Sequence, residues 1–323
     1  FPTTTDAGLV DIKFAKWGHD VEYYVASVAF GSPPQPVWLA LDIALADTMV
    51  VSYRVGNHSF YDHTQSSTYK ANSTKVDLRP LLAGVAQDSI TISSSKGAHH
   101  LTAIDQLFLE LEGPDHRLQR FAIDGKIGLG PHAAITGAPS FVRGLIGERK
   151  LSGPLVGVRF NSDDAHVRFG GVNEELLKGE IVYFTNLSAR RIGWWVPLSG
   201  MRVGDDEIPS ARGVAGIYQQ EYIFGPPGQV DKIWASLDIV DDVIVCDGDG
   251  PDLTLQFDAR LSVTLTKRDY TLQLPGGNCV FAILPYAYED LWVLGMPFLR
   301  KVYTVLDYGI SENDERVGFA ALA

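Results

Sequence analysis

A single carboxylic acid ends an apolar run in the first part of the chain. The segment Val37–Leu41 is built from apolar residues, and Asp42 follows it directly. A carboxyl group in poorly solvated surroundings can act as a general acid or base near neutral pH. Asp42 is therefore the first candidate for catalytic chemistry in this sequence.

Other common catalytic and metal-binding patterns are missing from the sequence. It contains no His-Glu-x-x-His, no Cys-x-x-Cys and no Gly-x-Ser-x-Gly segment. His99 and His100 form a surface-like pair, and the acidic segment Asp247–Asp252 is typical of a turn rather than of a calcium loop. We expect no metal site and no cofactor.

Short strands are the elements that must position Asp42. β-Branched and aromatic runs recur between 32 Gly and 17 Pro residues, a pattern typical of a mainly β protein. The chain of 323 residues is 46% hydrophobic, enough for a sizeable core in two lobes. The runs that carry this prediction are Val21–Phe30, Val37–Leu41, Ile90–Ser93, Val167–Phe169, Leu253–Phe257, Leu261–Leu265 and Val302–Leu306.

Net charge disfavours a nucleic-acid partner, and the length of the apolar runs disfavours a membrane span. The net charge of −12 disfavours nucleic acid, and no basic cluster offsets it. No apolar run reaches the roughly 18 residues of a membrane-spanning helix. We expect no nucleic-acid partner and no membrane span, and we expect a monomer.

Several motifs in the first half of the chain resemble the pepsin-like aspartic proteases, fungal members above all. The spacing from Gly31 to Asp42 matches the interval between the family's Gly-Thr-Pro-Pro-Gln turn and its first catalytic Asp. The other matching segments are Tyr23–Gln35, Ser66–Tyr69, Asp124–Gly130 and Arg168–Asn173. The resemblance implies that Asp124–Gly130 threads behind the first catalytic loop.

The second half matches in the same order. Trp195–Leu198 resembles the opening strand of the second lobe, and Leu291–Arg300 resembles the family's Leu-Trp-Ile-Leu-Gly-Asp segment. Tyr303–Asp307 and Arg316–Ala320 resemble the C-terminal signature. The resemblance implies an all-β, bilobal pepsin-like fold, with two six-stranded β-barrel lobes, residues 1–182 and 183–323, and a long cleft between them.

Cys246 and Cys279, the chain's two cysteines, fall at the spacing of the family's second-lobe disulfide. The resemblance therefore implies a bridge, which would stabilise the fold by roughly 3–4 kcal/mol on the chain-entropy estimate. The alternative is a pair of buried free thiols in a reducing compartment.

The resemblance fails at the catalytic loops. The family uses two Asp carboxylates that share a proton, each followed by Thr and Gly. Here Ile43 and Ala44 follow Asp42, and counting along the second lobe places Ile217 at the second Asp, or Gly216 after a slip of one residue. Neither can ionise. Asp47 is an alternative partner for Asp42, although it is more typical of a residue that hydrogen-bonds its own loop.

The hairpin that covers the substrate in the family also differs. Residues 75–88 are about five residues shorter than the family's hairpin and contain no Tyr. We predict an apolar, remodelled cleft that binds a ligand. The residues predicted to line it are Ile43, Ala44, Arg79, Leu81, Leu82, Tyr218, Gln219 and Tyr222.

These departures predict a non-proteolytic pepsin-fold protein that binds an unknown protein or small-molecule ligand. Two alternatives stay open. Asp42 could serve as general acid or base in a non-peptidase reaction on a small molecule, such as an isomerisation or cyclisation. The protein could also retain weak aspartic endopeptidase activity.

Secretion, or residence in the lumen of the secretory pathway, is the expected location. The chain starts at Phe1 rather than Met, which suggests a removed leader. Three sequons, at Asn57, Asn72 and Asn186, are candidate glycosylation sites, although such triplets also arise by chance.

Overall fold

The structure is a computed structural model of the chain. It describes residues 8–18, 23–54, 56, 58–78, 81–94, 99–112, 123–132, 135–187, 192–210, 212–237, 243–246, 250–274, 277–286 and 291–323. The chain forms two compact units. The first is Phe1–Asn173 with Val305–Glu315, and the second is Glu174–Thr304 with Arg316–Ala323. The predicted lobe boundary between residues 182 and 183 stays a prediction.

Strands dominate both units, which confirms the prediction of a mainly β, pepsin-like fold. The first ten strands are β1 Val10–Trp17, β2 Tyr23–Phe30, β3 Gln35–Asp42, β4 Met49–Val51, β5 Lys70–Leu78, β6 Leu81–Ser93, β7 His100–Glu112, β8 Gly125–Gly128, β9 Leu155–Phe160 and β10 Asp164–Phe169.

The later strands are β11 Leu177–Thr185, β12 Trp194–Pro197, β13 Gly200–Val203, β14 Asp206–Pro209, β15 Val214–Ile217, β16 Ile223–Gly225, β17 Val243–Ile244, β18 Leu253–Asp258, β19 Leu261–Leu265, β20 Thr271–Gln273, β21 Cys279–Phe281, β22 Ile283–Pro285, β23 Trp292–Leu294, β24 Val302–Asp307 and β25 Arg316–Leu322.

The described helices are short. They are α1 Phe141–Gly147, α2 Pro227–Ser236 and α3 Met296–Leu299, with 3-10 turns at His63–Gln65, Glu174–Leu176 and Glu312–Asp314. Ser140 caps α1, because its Oγ accepts a hydrogen bond from the backbone N–H of Arg143. None of the helices in the described residues has the length and apolar character needed to cross a membrane.

A closed barrel forms the centre of the first unit. Neighbouring strands pair in the order β2, β3, β8, β4, β7 and β6, and β6 pairs back with β2, so six strands close the ring. Its interior includes Phe30, Tyr61 and Phe108, whose ring centroids lie 5.0–5.6 Å apart. A buried aromatic side chain contributes about 1.5–3 kcal/mol. This core lies inside the ring that includes β8 and β3, the strand that ends at Asp42.

The second unit distributes its strands over smaller sheets. One has the order β12-β15-β23-β16-β22, another β14-β13-β18-β19, and a third β17-β21-β20. β11 pairs with β25. Phe184, Phe257, Phe298 and Phe319 pack together with ring centroids 5.1–6.2 Å apart. The first of these sheets carries the counterpart of the Asp42 loop.

The predicted disulfide is present. Cys246 and Cys279 are bridged, with Cα atoms 5.2 Å apart. Cys279 lies in β21, which pairs with β17 just before Cys246. The prediction of a bridge is confirmed, and the alternative of two free thiols is wrong.

Candidate active site

The backbone around Asp42 is held from two sides. Asp42 is the last residue of β3, and its Cα is paired with Gly128 of the parallel strand β8. Its carbonyl oxygen accepts a hydrogen bond of 2.7 Å from the N–H of Leu129. The position of the carboxyl group is therefore set by strands rather than by a loose loop.

The carboxylate of Asp42 is met by three donors. Oδ1 accepts hydrogen bonds from the N–H groups of Ala44, at 3.1 Å, and Leu45, at 2.9 Å. Oδ2 accepts one from Nζ of Lys126 at 3.0 Å. These three contacts fix the orientation of the carboxyl group. The Asp42 side chain is 13% exposed, so solvent still reaches it.

Glycines on β8 and just after it allow the close approach of the Asp42 loop. A Cβ on Gly128 would lie 2.5 Å from the carbonyl of Ala46, and one on Gly130 would lie 2.2 Å from the carbonyl oxygen of Ala44. Backbone atoms cannot yield at such distances. The segment Asp124–Gly130 therefore passes directly behind the loop, as the resemblance implied.

Lys126 is the functional candidate that the sequence analysis missed. It pairs with Ala40 of β3, and because side chains alternate along a strand, Lys126 lies on the same face as Ala40 and Asp42. The sequence did contain a signal: Lys126 stands where the family segment Asp-Gly-Ile-Leu-Gly-Leu-Gly has an apolar Ile. Only the strand register shows that this lysine meets Asp42.

Asp47 is bound by the segment at residues 135 and 136. Its side chain is buried. It accepts hydrogen bonds from the N–H groups of Ile135 and Thr136 and from the Thr136 hydroxyl, at 2.8–3.1 Å. Asp47 is thus a structural hydrogen-bond acceptor as expected, but these bonds go to residues 135 and 136 rather than to its own loop.

Asp124 is a second buried acid close to the loop. Its Oδ2 accepts from the N–H of Trp38 at 2.8 Å, and its Oδ1 lies 3.2 Å from Nδ1 of His58. Burial raises the pKa of Asp124 above its ordinary value, and the bonds from Trp38 and His58 oppose this rise. Asp124 therefore braces β3 and β8 and does not contact Asp42 through any described bond.

The predicted ligand-lining residues of the first unit have different exposures. Ile43 and Ala44 are buried, so their predicted ligand contacts gain no support. Leu82 lies on the hairpin of β5 and β6 and is 61% exposed. Arg79 and the side chain of Leu81 lie outside the described residues. These roles stay predictions.

The second unit repeats the strand frame of the Asp42 loop. β15 lies between its antiparallel neighbour β12 and the parallel strand β23, as β3 lies between β2 and β8. Gly295 follows β23, and a Cβ there would lie 2.1 Å from the carbonyl oxygen of Tyr222 and 2.4 Å from that of Gln220. Gly295 is therefore the counterpart of Gly128.

The ends of β3 and β15 differ by one residue in how they pair with the parallel strand. Asp42 pairs with the glycine itself, Gly128, whereas Ile217 pairs with Leu294, one residue before the corresponding glycine. Tyr218 follows Ile217, and its N–H bonds the carbonyl of Leu294. Phe224, seven residues after Ile217, pairs with Val293, as Met49, seven residues after Asp42, pairs with Lys126. Ile217 therefore stays the predicted counterpart of Asp42, and neither Ile217 nor Tyr218 carries a carboxylate.

Aromatic rings occupy the second loop. The Tyr218 hydroxyl and the Trp195 indole N–H both donate to the carbonyl oxygen of Ile192, each at 2.9 Å. The two rings meet edge to face, with centroids 6.4 Å apart. The loop is therefore braced by ring packing and one shared acceptor.

The remaining predicted contacts of this unit are partly accessible. Gln219 is half-buried. Tyr222 is also half-buried and packs on Phe224, which in turn packs on Tyr286, with centroids 5.9 and 6.0 Å apart. Ile217 is buried, so it offers no surface to a ligand.

The sequons and the metal prediction can be placed only in part. Asn72 is exposed on β5, the amide oxygen of Asn186 accepts from the N–H of Trp195, and Asn57 lies outside the described residues. Glycosylation stays a prediction. Within the described residues, no three His, Cys, Asp or Glu side chains are grouped closely enough to hold a metal ion.

Comparison with known proteins gives a match along the chain. The family model described as "Eukaryotic aspartyl protease" matches residues 23–322. Renin of Canis lupus familiaris is 26% identical, with 93% of this chain and 79% of renin covered. The aspartic-type endopeptidase ctsD of Aspergillus fumigatus is 27% identical, covering 99% and 69%, and vacuolar protease A of Neurospora crassa is 27% identical, covering 88% and 76%.

These comparisons correct the prediction of a non-proteolytic binding protein. The match includes both loops, and relatives of similar identity are named as proteases or an endopeptidase. A substituted second loop changes what that loop can supply and does not by itself show that activity is lost. The prediction of a ligand-binding pseudoprotease is therefore wrong on these findings, and the fungal origin stays a prediction.

Proposed function

Because the chain belongs to the eukaryotic aspartyl protease family, we propose that it is an aspartic-type endopeptidase that hydrolyses polypeptides with Asp42 as its working carboxylate. The observation that carries the proposal is the position of Asp42 at the end of β3, in the family's loop, with defined donors on both oxygens. Named relatives include an aspartic-type endopeptidase and a vacuolar protease.

The chemistry assigned to Asp42 is that of a general base and then a general acid. An ionised carboxylate takes a proton from a water molecule as that water attacks a peptide carbonyl. The same group then returns the proton to the departing amine. The N–H groups of Ala44 and Leu45 hold Oδ1 throughout, which keeps the carboxylate oriented during both steps.

An oxidising compartment is part of the proposal. The Cys246–Cys279 bridge supports secretion or residence in a vacuolar or secretory lumen, because such bonds are rare in reducing compartments. One relative is named as a vacuolar protease. A monomeric state is retained as an expectation.

The test compares two Asp→Asn variants of the full chain on an unfolded, reduced and carboxymethylated polypeptide. Asp42→Asn removes the proposed base. Asp105→Asn is the matched control, because Asp105 is an exposed acid paired with a surface lysine, and its φ of 52° is tolerated by Asn. Cleavage is measured by mass spectrometry between about pH 3 and pH 7, a range chosen to span the ordinary pKa of Asp.

We expect cleavage by the wild type and by Asp105→Asn, and a fall of at least about 100-fold for Asp42→Asn. Equal rates for Asp42→Asn and the wild type would overturn the assignment of Asp42. A wild type that cleaves nothing across this range would overturn the proposed function itself.

A further inference from the structure

Asp42 and Lys126 form an ion pair at the end of β3. Lys126 Nζ is 3.0 Å from Oδ2, the oxygen of Asp42 that the backbone N–H groups of its loop leave for another donor. The Lys126 side chain is 36% exposed and that of Asp42 13%. The ammonium group is thus both fixed on Asp42 and reachable from solvent.

Lys126 is held by strands rather than by a flexible segment. It lies in the middle strand of three, paired with Ala40 of β3 and with Met49 of β4. Gly125 and Ile127 on either side of it are buried. A group held on paired strands keeps its position more precisely than one on a loop, which is what a reacting centre requires.

The contribution of the Asp42–Lys126 ion pair to folding stability is a weak explanation for the position of Lys126. An ion pair that is partly exposed contributes little to folding, because solvent screens it and side-chain freedom is lost. A lysine at this position must also place a charge beside strands whose other residues are largely buried. A chemical role for the ammonium group explains its position better.

We propose that Lys126 is a catalytic residue and forms, with Asp42, the acid–base pair of the reaction. This inference rests on the proposed endopeptidase function. An ammonium group carries three N–H donors. Among the described residues, Asp42 is the acceptor identified for them, so the others can meet a substrate. The substrate group we assign to Lys126 is the carbonyl oxygen of the bond to be cleaved.

The steps balance with water as the added reactant. Asp42 takes a proton from water as the water oxygen bonds to the carbonyl carbon. The carbonyl π electrons move onto its oxygen, and the Lys126 ammonium donates a hydrogen bond to that oxyanion. The electron pair then re-forms the carbonyl, the carbon–nitrogen bond breaks, and the departing nitrogen takes the proton from Asp42. Lys126 stays charged throughout, and the pair returns to its starting state.

The experiment measures kcat and KM for Lys126→Met and Lys126→Arg in the full chain, with a fluorogenic peptide chosen from the cleavage sites of the wild type. Lys70→Met is the matched control, because Lys70 forms an exposed ion pair with Asp105 in the same unit. Thermal unfolding and near-ultraviolet circular dichroism check that each variant is folded. If Lys126→Met does not fold, Lys126→Ile takes its place, because Ile also lacks a side-chain donor.

We expect Lys126→Met to lower kcat by about 100-fold while KM changes by less than about threefold, as for the loss of one oxyanion donor. Lys126→Arg keeps the charge and should retain activity within about tenfold of the wild type. The double variant Asp42→Asn with Lys126→Met should be no slower than Asp42→Asn by more than about threefold, because the two groups act in one step.

The two proposals fail in different ways. A folded Lys126→Met or Lys126→Ile variant with unchanged or raised kcat would overturn the role of Lys126. The endopeptidase assignment would then stand, provided that Asp42→Asn is inactive. A change in KM with constant kcat would also overturn it. An inactive wild type would overturn both.

Discussion

The two units have the same strand arrangement around a loop, but the side chains at the end of the central strand differ chemically. In the first, the strand ends in Asp42, whose carboxylate is held by backbone N–H groups and by Lys126. In the second, the strand ends at Ile217, and the Tyr218 ring packs against Trp195. Both frames combine an antiparallel neighbour, a parallel strand and a closely packed glycine.

The difference shows that the backbone path of the loop does not depend on the reactive side chain that the loop carries. Strand pairing and the glycines fix the path of the backbone, and they do not depend on which side chain follows the strand. A loop of this kind can therefore lose its carboxylate and keep its path. The first unit retains an acid and also has an ammonium group within hydrogen-bond distance.

The largest expected effect concerns Ile217, at the end of β15, and Tyr218, which follows it. Ile217→Asp places a carboxylate at a fully buried position and should lower the free energy of unfolding by about 4 kcal/mol. Tyr218→Asp lies at a half-buried position and should cost about 1–2 kcal/mol, from the lost ring contact and hydrogen bond. Urea unfolding at neutral pH measures both.

Ile217→Val is the control for the first of these variants, with an expected loss of about 0.5–1.5 kcal/mol. Equal costs for the two Asp variants would contradict the difference in burial between the two positions.

A smaller effect tests whether the two frames are equally tight. Gly128→Ala and Gly295→Ala each place a Cβ within 2.5 Å of backbone atoms, so each should destabilise the fold by about 2–3 kcal/mol. Gly147→Ala in α1 has open space around the new methyl group and should be neutral or stabilising by up to about 1 kcal/mol. Thermal and urea unfolding measure these changes. A neutral result at one of the two glycines would show that its unit has a looser frame.

The smallest effect concerns the residue that precedes each parallel strand. Asp124 precedes β8, and Leu291 precedes β23; both are buried. Because burial raises the pKa of Asp124, its contribution to stability is present below the ordinary Asp pKa and is lost as the pH rises through the folded value. Asp124→Asn should therefore show a smaller loss of stability than the wild type between about pH 4 and pH 6.

Urea midpoints at several pH values measure this slope, and His58→Gln removes the imidazole that lies 3.2 Å from Asp124 Oδ1. An unchanged slope in Asp124→Asn would contradict the raised pKa. Leu291→Asn provides the comparison in the second unit, where no change of slope with pH is expected.

Much of the fold and part of the site could be predicted from residue patterns. Turn and glycine motifs indicated the strand-rich fold and the segment behind the Asp42 loop, because close backbone approach excludes a Cβ. The spacing of Cys246 and Cys279 indicated the bridge. The prediction of a non-proteolytic protein from the missing second carboxylate was wrong, because the absence of one residue does not show whether another group takes over its role.

The sequence by itself determined the family frame, the retained Asp42 and the absence of an acid at residues 216–218. Tertiary structure alone decided that Lys126, 84 residues away, meets Asp42. It also decided that Ile217 pairs with Leu294, and that Ile43 and Ala44 are buried. The physical reason is register. A strand's own sequence gives its alternation, but which residues face each other across a sheet depends on pairing between distant segments.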